Sequence, residues 1–567
     1  MPSSWHVLPA DAERARRLAR EVGIEPLTAQ LLLNRGVSTP ADARRFLAPT
    51  LESLEDPMRL SGMARAAERF GRAIARGEPI LIFGDCDVDG LTAASILYEL
   101  LRGLGAAVVA HQSNRIADGY GMPQRIVDRI CRSSTAVVVL VDCGTNQPDA
   151  VEALERHGIE TVIIDHHVPS ARPAKPYALI NPHCEPAGGY QELSSAGLAL
   201  KVAQALLQEE APGALEAYLD LAALGTLADC SPLRGENRII AAEGLPRLIN
   251  SPRAGIRRLC HATKTSKPEP DHIARRLVPR LNASGRLGAP TAVWHLLIEQ
   301  DPGRLENWMA AAHEAHATTK RLQRRIMAEA QEQVNRLHFR DELVMVVSRS
   351  GWHQGLMGPL ASQLAERYGR PAIALAVDQG RGTGSGRSIP LFNLLAAVST
   401  CQEVLLRFGG HAQACGLTLE IRHLDRFRAL VNAQARQSLD PEALTAKRTV
   451  DLELPLQAVE GRWVDELDRL APFGNGAPRP SVAIRCVAVE PQSPRVAMLR
   501  QGSCRVAARG RFPAPTPGER YDVVARPARV NGELILLVSD VRGSAGPSGS
   551  DRTSGTPCTR APASRCR

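Results

Sequence analysis

Four short apolar runs, each followed by an amphipathic stretch, dominate the first half of the chain. The segments between the runs, for example 91–104 and 148–157, have helical periodicity. Unbroken runs rich in Val and Ile that alternate with helices are typical of a parallel α/β sheet covered on both faces. We therefore predict such a sheet, with strands at 79–85, 106–112, 136–142 and 161–165.

The pattern changes three times farther along the chain. A helical pattern without Gly or Pro extends from about residue 305 to 337, which is long enough to join two lobes. A second α/β pattern follows, and after it strand-like pieces alternate with turn residues, as in a small antiparallel barrel. The predicted fold class is α/β, with two α/β lobes joined by a long helix and a C-terminal antiparallel β-barrel. The predicted parts are an N-terminal helical cap on the first lobe (1–60), the first lobe (61–300), the connecting helix (301–340), the second lobe (341–440), the barrel (448–542) and a disordered basic tail (543–567).

Length and composition agree with several soluble domains. The 567 residues are too many for one core, and 44% hydrophobic against 23% charged residues excludes a wholly disordered chain. No run reaches the ~18 apolar residues of a membrane span, and the N-terminus lacks the apolar region of a signal peptide. Twelve cysteines without a CxxC pair argue against disulfide frameworks and zinc ribbons. We expect a cytoplasmic protein with no membrane association.

The net charge of +9 favours a polyanionic partner such as nucleic acid. Arg clearly outnumbers Lys, and its planar guanidinium is the better bidentate ligand for phosphate. A high-GC bias in the coding sequence would produce the same excess of Arg. Charge alone therefore favours a nucleic-acid partner only weakly.

Three carboxylates crowd into five residues after the first predicted strand. Asp85, Asp87 and Asp89 precede Gly90, which allows a tight turn into the next helix. Repulsion among them is relieved only by cations, so the cluster is a candidate metal site at the edge where open α/β sheets bind ligands. Taken alone, the cluster fits a solvated turn or a helix N-cap equally well. It is not an EF-hand, because the following positions lack the remaining oxygen ligands.

Further acids and histidines follow the later strands. Asp142 ends the third run, Asp165, His166 and His167 follow the fourth, and Asp229 lies farther on. An Asp after a buried strand is often only a helix cap, and a pair of adjacent histidines often lies on the surface without a functional role. The recurrence at one sheet edge instead matches a two-metal site, and oxygen-rich ligation with one or two imidazoles suits Mn²⁺ or Mg²⁺.

These motifs carry a family resemblance. GDCDVDG, VVLVDCGT, IIDHHV and LGTLADCSPLRGENR resemble the four phosphoesterase motifs of the DHH superfamily, and their order and spacing resemble its single-stranded-DNA-specific 5′→3′ exonucleases. The likeness covers about residues 60 to 541. It includes HQSNRIADGYG, VPRLNASGRLG, GTGSGRSIP, FGGHAQACGLTL and APFGNGAPRP. It implies a catalytic DHH domain, a smaller substrate-binding DHHA1 domain, and an OB-like nucleic-acid-binding barrel.

The resemblance implies roles for the acidic site. Two divalent cations, Mn²⁺ or Mg²⁺, would be held by Asp85, Asp87, Asp89, Asp142, His166 and Asp229. Asp142 would bridge the two ions. His167 would touch the scissile phosphate, or else act as a hydrogen-bond partner of the ligands. Asp165 would orient the histidines. The catalytic set is therefore His167, Asp142 and Asp165.

Substrate binding is expected from both lobes. The segment 384–388 combines glycines, hydroxyls and a guanidinium into a candidate phosphate pocket, although a glycine turn between strands would explain the glycines alone. His353 is a weaker candidate, since it could simply pack beside Trp352. The full predicted set is Arg115, Arg280, Asn282, Arg286, His353, Ser385, Arg387, Ser388, Gly409, Gly410 and His411.

Aromatic residues are few in the barrel, so basic side chains would provide most of the binding to a nucleic-acid strand. Such binding predicts steep salt dependence. An alternative is that the barrel merely braces the lobes. The basic candidates are Arg500, Arg505, Arg509, Arg511 and Arg520.

The resemblance implies a metal-dependent exonuclease that releases 5′-mononucleotides from single-stranded DNA with a 5′ end, in recombination and repair. It also implies a helicase and a single-strand-binding protein as partners, and a monomer. One alternative is a phosphodiesterase for small substrates such as short oligonucleotides or cyclic dinucleotides. Another is a catalytically inactive DNA-binding scaffold. One departure from the family pattern is Cys86, which stands where an aromatic or similar side chain is usual and would fill that position as a small hydrophobe.

Overall fold

A computed structural model of the chain provides the coordinates. It describes residues 4–184, 190–207, 213–266, 269–339, 341–439, 447–514 and 518–544. The predicted tail, 543–567, therefore lies outside the described residues except for its first two positions. Across these ranges, no helix has the length and apolar character needed to cross a membrane, and no disulfide bond links their cysteines.

The N-terminal segment is one strand followed by three helices. Asp11 caps the first helix by accepting a hydrogen bond from Arg14 N, and Gly23 ends it in the left-handed conformation, with φ 77°. The elements are β1 (Ser4–Val7), α1 (Ala12–Val22), α2 (Pro26–Asn34) and α3 (Pro40–Leu47).

The first α/β lobe contains a five-stranded parallel sheet of order β3-β2-β4-β5-β6. Every residue of β4 is buried, as expected for a strand covered on both faces. Its elements are α4 (Met63–Arg76), β2 (Ile80–Gly84), α5 (Val88–Gly103), β3 (Val108–Gln112), α6 (Arg115–Asp118), α7 (Gln124–Cys131), β4 (Val137–Val141), α8 (Pro148–Glu155), β5 (Glu160–Ile164), β6 (Ala178–Ile180), α9 (Ser195–Leu207), α10 (Leu219–Ala228), α11 (Gly235–Ile249), α12 (Ala254–Ala262), α13 (Pro270–His272), α14 (Val278–Arg286) and α15 (Thr291–Ile298).

Strand order and register place the aspartates that follow β2, β4 and β5 side by side at one edge of the sheet. Strands β2, β4 and β5 are adjacent, and Gly84 pairs with Val141, which pairs with Ile164. The next residue along each strand is an aspartate, so Asp85, Asp142 and Asp165 leave the sheet side by side. The four predicted strands and their shared carboxyl edge are confirmed.

A single helix, α16 (Pro302–Val334), follows the first lobe. Asp301 caps it through Arg304 N, at 2.7 Å. This element confirms the predicted connecting helix.

The second lobe has a five-stranded sheet of order β10-β11-β9-β8-β7, in which only the β7–β8 pair is parallel. Gly384–Arg387 belong to β9, a central strand whose backbone pairs on both sides, so the glycine turn considered as the alternative for this segment is not found there. The elements are β7 (Met345–Ser350), α17 (Met357–Tyr368), β8 (Ala372–Asp378), β9 (Arg381–Arg387), α18 (Leu394–Ser399), β10 (Leu405–His411), β11 (Ala414–Glu420) and α19 (Leu424–Ser438).

The C-terminal part forms a closed barrel of five strands in the cyclic order β14-β15-β16-β18-β17. All neighbours are antiparallel except β16 and β18, which are parallel. This order of a five-stranded barrel agrees with the predicted OB-like fold. The elements are β12 (Lys447–Val450), β13 (Leu452–Glu453), α20 (Gly461–Leu467), β14 (Val482–Ser493), β15 (Val496–Gln501), β16 (Cys504–Arg509), β17 (Tyr521–Val530) and β18 (Glu533–Gly543).

The chain divides into two compact units that do not follow sequence order. The barrel unit contains Trp5–Pro40, Arg448–Asp468 and the chain from Arg479 onward. The lobe unit contains Ala41–Lys447 together with Arg469–Pro478. The N-terminal helices were expected to cap the first lobe, but α1 and α2 group with the barrel instead, where Asn34 Nδ2 donates to Asp451 O at 2.8 Å.

Candidate metal centre and strand-binding cleft

The acidic loop after β2 is held by backbone and side-chain hydrogen bonds. Asp85 is fully buried, and Ser113 Oγ donates to its Oδ1 at 2.7 Å. Asp87 caps α5 by accepting from the backbone N of Asp89 and Gly90, at 3.1 and 3.2 Å. Gly90 is required at its position, because a Cβ there would lie 2.6 Å from Asp85 O. The sequence therefore folds this loop so that helix capping and acid clustering coincide.

Asp89 and Asp142 lie deeper and share contacts with helix α9. The carboxylate of Asp89 accepts from Ser195 N and Ala196 N, at 2.8 and 2.9 Å. Ser195 Oγ donates to Asp142 Oδ1 at 2.9 Å. Asp142 leaves β4 with φ 59°, a left-handed conformation that turns its side chain toward the site.

His166 faces the carboxylates. Its Nε2 lies 3.3 Å from Asp142 Oδ1, 3.8 Å from Asp89 Oδ2 and 4.0 Å from Asp229 Oδ1. Burial opposes protonation of His166, but the hydrogen bond to Asp142 and the surrounding carboxylates outweigh it, so its pKa is well above the usual value. In this arrangement the imidazolium balances negative charge that a cation would otherwise balance.

Asp165 orients the second histidine. Its Oδ1 lies 2.7 Å from His167 Nδ1, and its Oδ2 accepts from Thr145 N at 3.1 Å. Burial opposes ionisation of Asp165, yet the hydrogen bond from His167 lowers its pKa to about 2. The same pair raises the pKa of His167 to about 9, against the effect of burial. An ionised Asp165 therefore fixes the ring of His167 and is occupied by hydrogen bonds on both oxygens.

Asp229 comes from a different kind of element, the C-terminal end of helix α10. Ser231 Oγ donates to its Oδ2 at 2.7 Å, and its other oxygen faces His166. Its side chain is 29% exposed, more than that of Asp89 or Asp142.

Three overlapping groups of possible ligand atoms result, each with its atoms within 4.8 Å of one another. Asp142 belongs to two of them and His166 to two. Carboxylate-rich sets with one or two imidazoles fit Mn²⁺ or Mg²⁺, so the residues present suit the expected ions. The groups are Asp85, Asp87 and Asp142; Asp142, His166 and His167; and Asp89, His166 and Asp229.

The electrostatics of the carboxylates support a cation site. Burial, with Asp87 nearby, raises the pKa of Asp142 well above its usual range. Burial and the charge of Asp229 raise the pKa of Asp89 to about 7. Such a cluster does not hold all its negative charge without a compensating positive one.

Arg115 supplies positive charge at one side of the cluster. Its guanidinium donates to Asp85 and, at 3.1 Å, to Asp87. Burial opposes the charged form, but the charge of Asp85 raises the pKa of Arg115 well above its usual value. The predicted substrate-binding residue is therefore also an ion-pair partner of the candidate ligands.

Tyr120 was missed by sequence reasoning. Its hydroxyl lies 3.1 Å from His167 Nδ1 and donates to Asp142 O at 3.2 Å. The guanidinium of Arg115 lies 5.5 Å from the centre of its ring. Only the motif DGYG, quoted among the family-like segments, could have drawn attention to it.

Helix α14 carries three predicted residues, of which two lie at the acidic loop or near it. Asn282 Oδ1 accepts from Val88 N at 3.0 Å, so this oxygen supports the start of α5. Burial lowers the pKa of Arg286, which lies close enough to Asp87 and Arg115 for their charges to act on it. Arg280 instead donates to Arg276 O in the preceding turn. The helix follows a π-helical turn, Ile273–Leu277, a feature often found at functional sites.

Strand β9 presents Ser385 and Arg387 on one face, since alternate residues share a face. Arg387 Nη1 donates to Ser385 Oγ at 2.8 Å, and the charge of Arg115 acts on the guanidinium. Ser388 instead donates its hydroxyl to Phe392 O at 2.6 Å, which closes a local turn.

Of the remaining predicted residues, Gly409, Gly410 and His411 end strand β10 and pair with β11, whereas His353 lies at a turn. Gly410 has φ 142°, and a Cβ there would lie 2.3 Å from Ala414 O, whereas Gly409 has open space around it. Partial burial and the charges of Arg387 and His167 lower the pKa of His411. His353 Nδ1 accepts from Gly355 N at 3.2 Å, so this imidazole caps a turn.

Family models match both lobes. The DHH family N-terminal domain matches residues 79–226, and the DHHA1 domain matches residues 341–437.

Curated relatives extend the match to most of the chain. The RecJ single-stranded-DNA-specific exonuclease of Thermus thermophilus is 32% identical over 486 residues, which cover 84% of this chain and 68% of that protein. The chain belongs to the RecJ family. The RecJ of Escherichia coli is 30% identical, with 81% of this chain and 83% of that protein covered. The Bacillus subtilis RecJ is 33% identical over 86% of this chain, which spans 62% of that longer relative.

Solved RecJ structures share the fold. The Thermus thermophilus RecJ in complex with Mn²⁺ superposes with a TM-score of 0.82 at 27% identity, covering 95% of this chain and 79% of that one. The same protein in complex with Mg²⁺ gives 0.75 over 95% and 78%. The fold class predicted from the sequence, with DHH and DHHA1 lobes and a C-terminal barrel, is confirmed, and so is the RecJ-like identity.

Proposed function

We propose that this RecJ family member is a 5′→3′ exonuclease that hydrolyses single-stranded DNA by a two-metal-ion mechanism and releases 5′-mononucleotides. The observation that carries the proposal is the sharing of Asp142 and His166 among three ligand groups. Shared ligands are what two neighbouring ions require. The proposed ligands are Asp85, Asp87, Asp89, Asp142, His166 and Asp229.

The chain's own residues prepare the site for in-line hydrolysis. Bound divalent ions lower the pKa of water and polarise the phosphoryl group. Asp142 is the proposed shared ligand, and Ser195 Oγ holds its carboxylate. His167, fixed by Asp165 and kept protonated near neutral pH, is proposed to donate to a non-bridging oxygen of the scissile phosphate.

Polarity along the strand is proposed to come from a pocket for the 5′-terminal phosphate. Arg115 on α6 and Arg387 on β9 lie close enough for their charges to act on each other. Two guanidiniums held near each other form a binding site for a dianion. With Ser385 beside Arg387, this pocket would hold the 5′ end while the next linkage lies at the acidic cluster.

Selectivity for one strand is proposed to follow from the narrow approach between the lobes. Gln354 Nε2 of the second lobe donates to Ile116 O of the first at 3.2 Å. A Cβ on Gly355 would lie 2.1 Å from Arg286 O. Contacts this close restrict the cleft, and a duplex is much wider than a single strand.

The proposal extends to cellular context. As a family member, the protein is proposed to act in DNA recombination and repair in the cytoplasm, as a monomer that receives its substrate from a helicase and a single-strand-binding protein. The likeness to other RecJ exonucleases supports this setting.

The test uses long strands labelled at either end and phosphorylated at the 5′ end, incubated with Mn²⁺, Mg²⁺ or chelator. We expect mononucleotides released progressively from the 5′ end of single strands only, with no products in chelator. Asp142→Asn is expected to lose at least about 1,000-fold in rate, because it removes the shared charge. The matched control is Asp128→Asn, an exposed carboxylate on α7, which should retain full activity.

Three results would contradict the proposal. Release from the 3′ end would remove the assigned polarity. Cleavage of dinucleotides but not long strands would favour a phosphodiesterase for small substrates. Binding of DNA without products under all metal conditions would favour an inactive scaffold.

A further inference from the structure

We infer that Asn475 is a positioning residue for the metal centre, acting through the turn that carries Asp229. The inference rests on the proposed function, in which Asp229 is a metal ligand. It gives a role to Arg469–Pro478, the segment that groups with the lobes although the chain on both sides of it groups with the barrel.

Asp229 depends on its turn more than the other proposed ligands do. It lies at the end of helix α10 rather than at the end of a buried strand, and the next residue, Cys230, has φ 61°. Ser231 N donates back to Thr226 O at 3.1 Å, which closes the turn. Ser231 Oγ then holds Asp229 Oδ2 at 2.7 Å. Any shift of this turn moves the carboxylate directly.

A tight loop from the C-terminal half of the chain contacts this turn. Gly474 and Ala477 exchange two backbone hydrogen bonds, at 3.0 and 3.1 Å, which place Asn475 at the tip. Asn475 Nδ2 donates to Cys230 O at 2.6 Å, and Asn475 O accepts from Leu233 N at 2.8 Å. Asn475 is therefore hydrogen-bonded to both ends of the turn, at Cys230 and at Leu233.

The loop itself is firmly anchored. Arg238, only 2% exposed, donates to Leu470 O at 3.0 Å and to Pro472 O at 3.2 Å. The same guanidinium lies 3.7 Å above the ring of Phe46. At the other end of the loop, Ala477 is 1% exposed within the core of the first lobe. The loop that carries Asn475 is therefore held in place at both ends, and Asn475 can restrain the turn that carries Asp229.

Two features separate positioning from general stability. Asn475 is exposed, so truncating its side chain leaves the buried anchors in place. Its side-chain donor reaches the residue directly after Asp229, and the site depends on the position of that ligand. Residues that hold metal ligands in place typically affect metal affinity by about 10- to 100-fold.

The test measures Mn²⁺ binding by calorimetry on the full chain, with the melting temperature of the metal-free protein alongside. Asn475→Ala and Asn475→Asp both remove the donor to Cys230 O. We expect each to weaken Mn²⁺ binding by about ten-fold, while the melting temperature changes little. The matched control, Asn335→Ala at the exposed end of α16, should bind Mn²⁺ as the unmodified chain does.

A second measurement covers the case in which a variant loses stability. Ser231→Ala should also weaken Mn²⁺ binding, and the double variant should be weakened by less than the product of the two single effects, since both act on one carboxylate. Unchanged Mn²⁺ binding in the Asn475 variants, or fully independent effects in the double variant, would overturn the inference while leaving the proposed function intact. An unmodified chain that neither binds Mn²⁺ nor cleaves DNA would instead overturn the proposed function.

Discussion

At the scale of single residues, the backbone at Asp142 decides where the shared ligand points. A φ of 59° is uncommon for residues other than Gly, and Asp and Asn tolerate it best. The strained conformation ends β4 abruptly and directs the carboxylate toward Ser195 and His166. Asn at this position keeps the backbone while removing the charge, and so Asp142→Asn reports on charge rather than on folding.

The hydroxyl of Tyr120 leads to the first prediction. Tyr120→Phe removes the contacts to His167 and to Asp142 O but keeps the ring against Arg115. We expect kcat to fall by roughly five-fold, since a hydrogen bond of this kind contributes about 1 kcal/mol. The measurement is steady-state cleavage of a labelled single strand. An unchanged kcat would show that Asp165 alone orients His167.

Arg387 provides a test of strand polarity. Arg387→Ala should slow cleavage of 5′-phosphorylated strands by about ten-fold or more, because charge-assisted hydrogen bonds to a phosphate contribute about 1.5–3 kcal/mol. Strands with a 5′-hydroxyl should be affected much less. Arg381→Ala, at the exposed far end of the same strand, serves as the control. Equal losses on both substrates would refute the phosphate pocket.

The sequence predicts those site residues that follow a strand, because register alone brings them together. Asp85, Asp142 and Asp165 are of this kind. Tyr120 and Asn475 could not be predicted in this way, since their contacts depend on how distant segments pack. Asn282 was assigned to substrate, but its side-chain oxygen is bonded to Val88 N, a contact that spacing does not reveal.

At the scale of elements, β9 shows that a glycine-rich segment can form a central strand. Three glycines, one threonine and one serine among its seven residues would suit a turn equally well. Here Gly384 faces the backbone of β8 so closely that a Cβ would lie 1.8 Å from Ala374 O. The glycines allow strands to approach, and the strand then holds Ser385 and Arg387 rigidly on one face.

This packing predicts opposite outcomes for two similar substitutions. Gly384→Ala should destabilise the second lobe by several kcal/mol, on the order of 2–5, because backbone must move to admit a methyl group. Gly409→Ala meets open space and should change stability by less than about 0.5 kcal/mol. Chemical denaturation measures both. Similar stability losses would mean that the spacing between β8 and β9 is not what requires glycine.

At the scale of the whole molecule, the described residues of the barrel unit offer few exposed aromatic side chains. Trp463 and Tyr521 are buried, at 3% exposure each, Phe512 is only partly exposed, and the ring of Trp5 lies beneath the guanidiniums of Arg485 and Arg542. Base stacking on this unit is thus restricted. Its exposed arginines are the groups available for a strand.

The barrel therefore predicts a salt effect. Replacing Arg509, Arg511 and Arg520 by Ala should reduce the slope of log K against log salt by about 2, since each phosphate contact on a single strand contributes about 0.7. Fluorescence anisotropy of the full chain in chelator, with a labelled strand, measures the slope. Arg529→Ala is the control, because Arg529 is paired with Asp465 at 2.8 Å. An unchanged slope in the triple variant would indicate that the barrel only braces the rest of the chain.

Domain order was largely predictable because hydrophobic periodicity reports each element separately. The parallel sheet, the helix α16 and the OB-like barrel all follow from local patterns. The grouping of α1 and α2 with the barrel could not be predicted from local patterns. Periodicity shows which face of a helix is buried but not which element covers that face.

That grouping affects how the protein is made. Strand β1 pairs with β12, so the N-terminal segment emerges from the ribosome long before its partner. At ~5–20 residues per second, the delay is on the order of tens of seconds. During synthesis the apolar faces of α1 and α2 lack their partners in the barrel unit while most of both lobes has already emerged. A nascent chain that stalled before the barrel was made would therefore expose apolar helix surface at its N-terminal end. Chaperones and proteases recognise such surface.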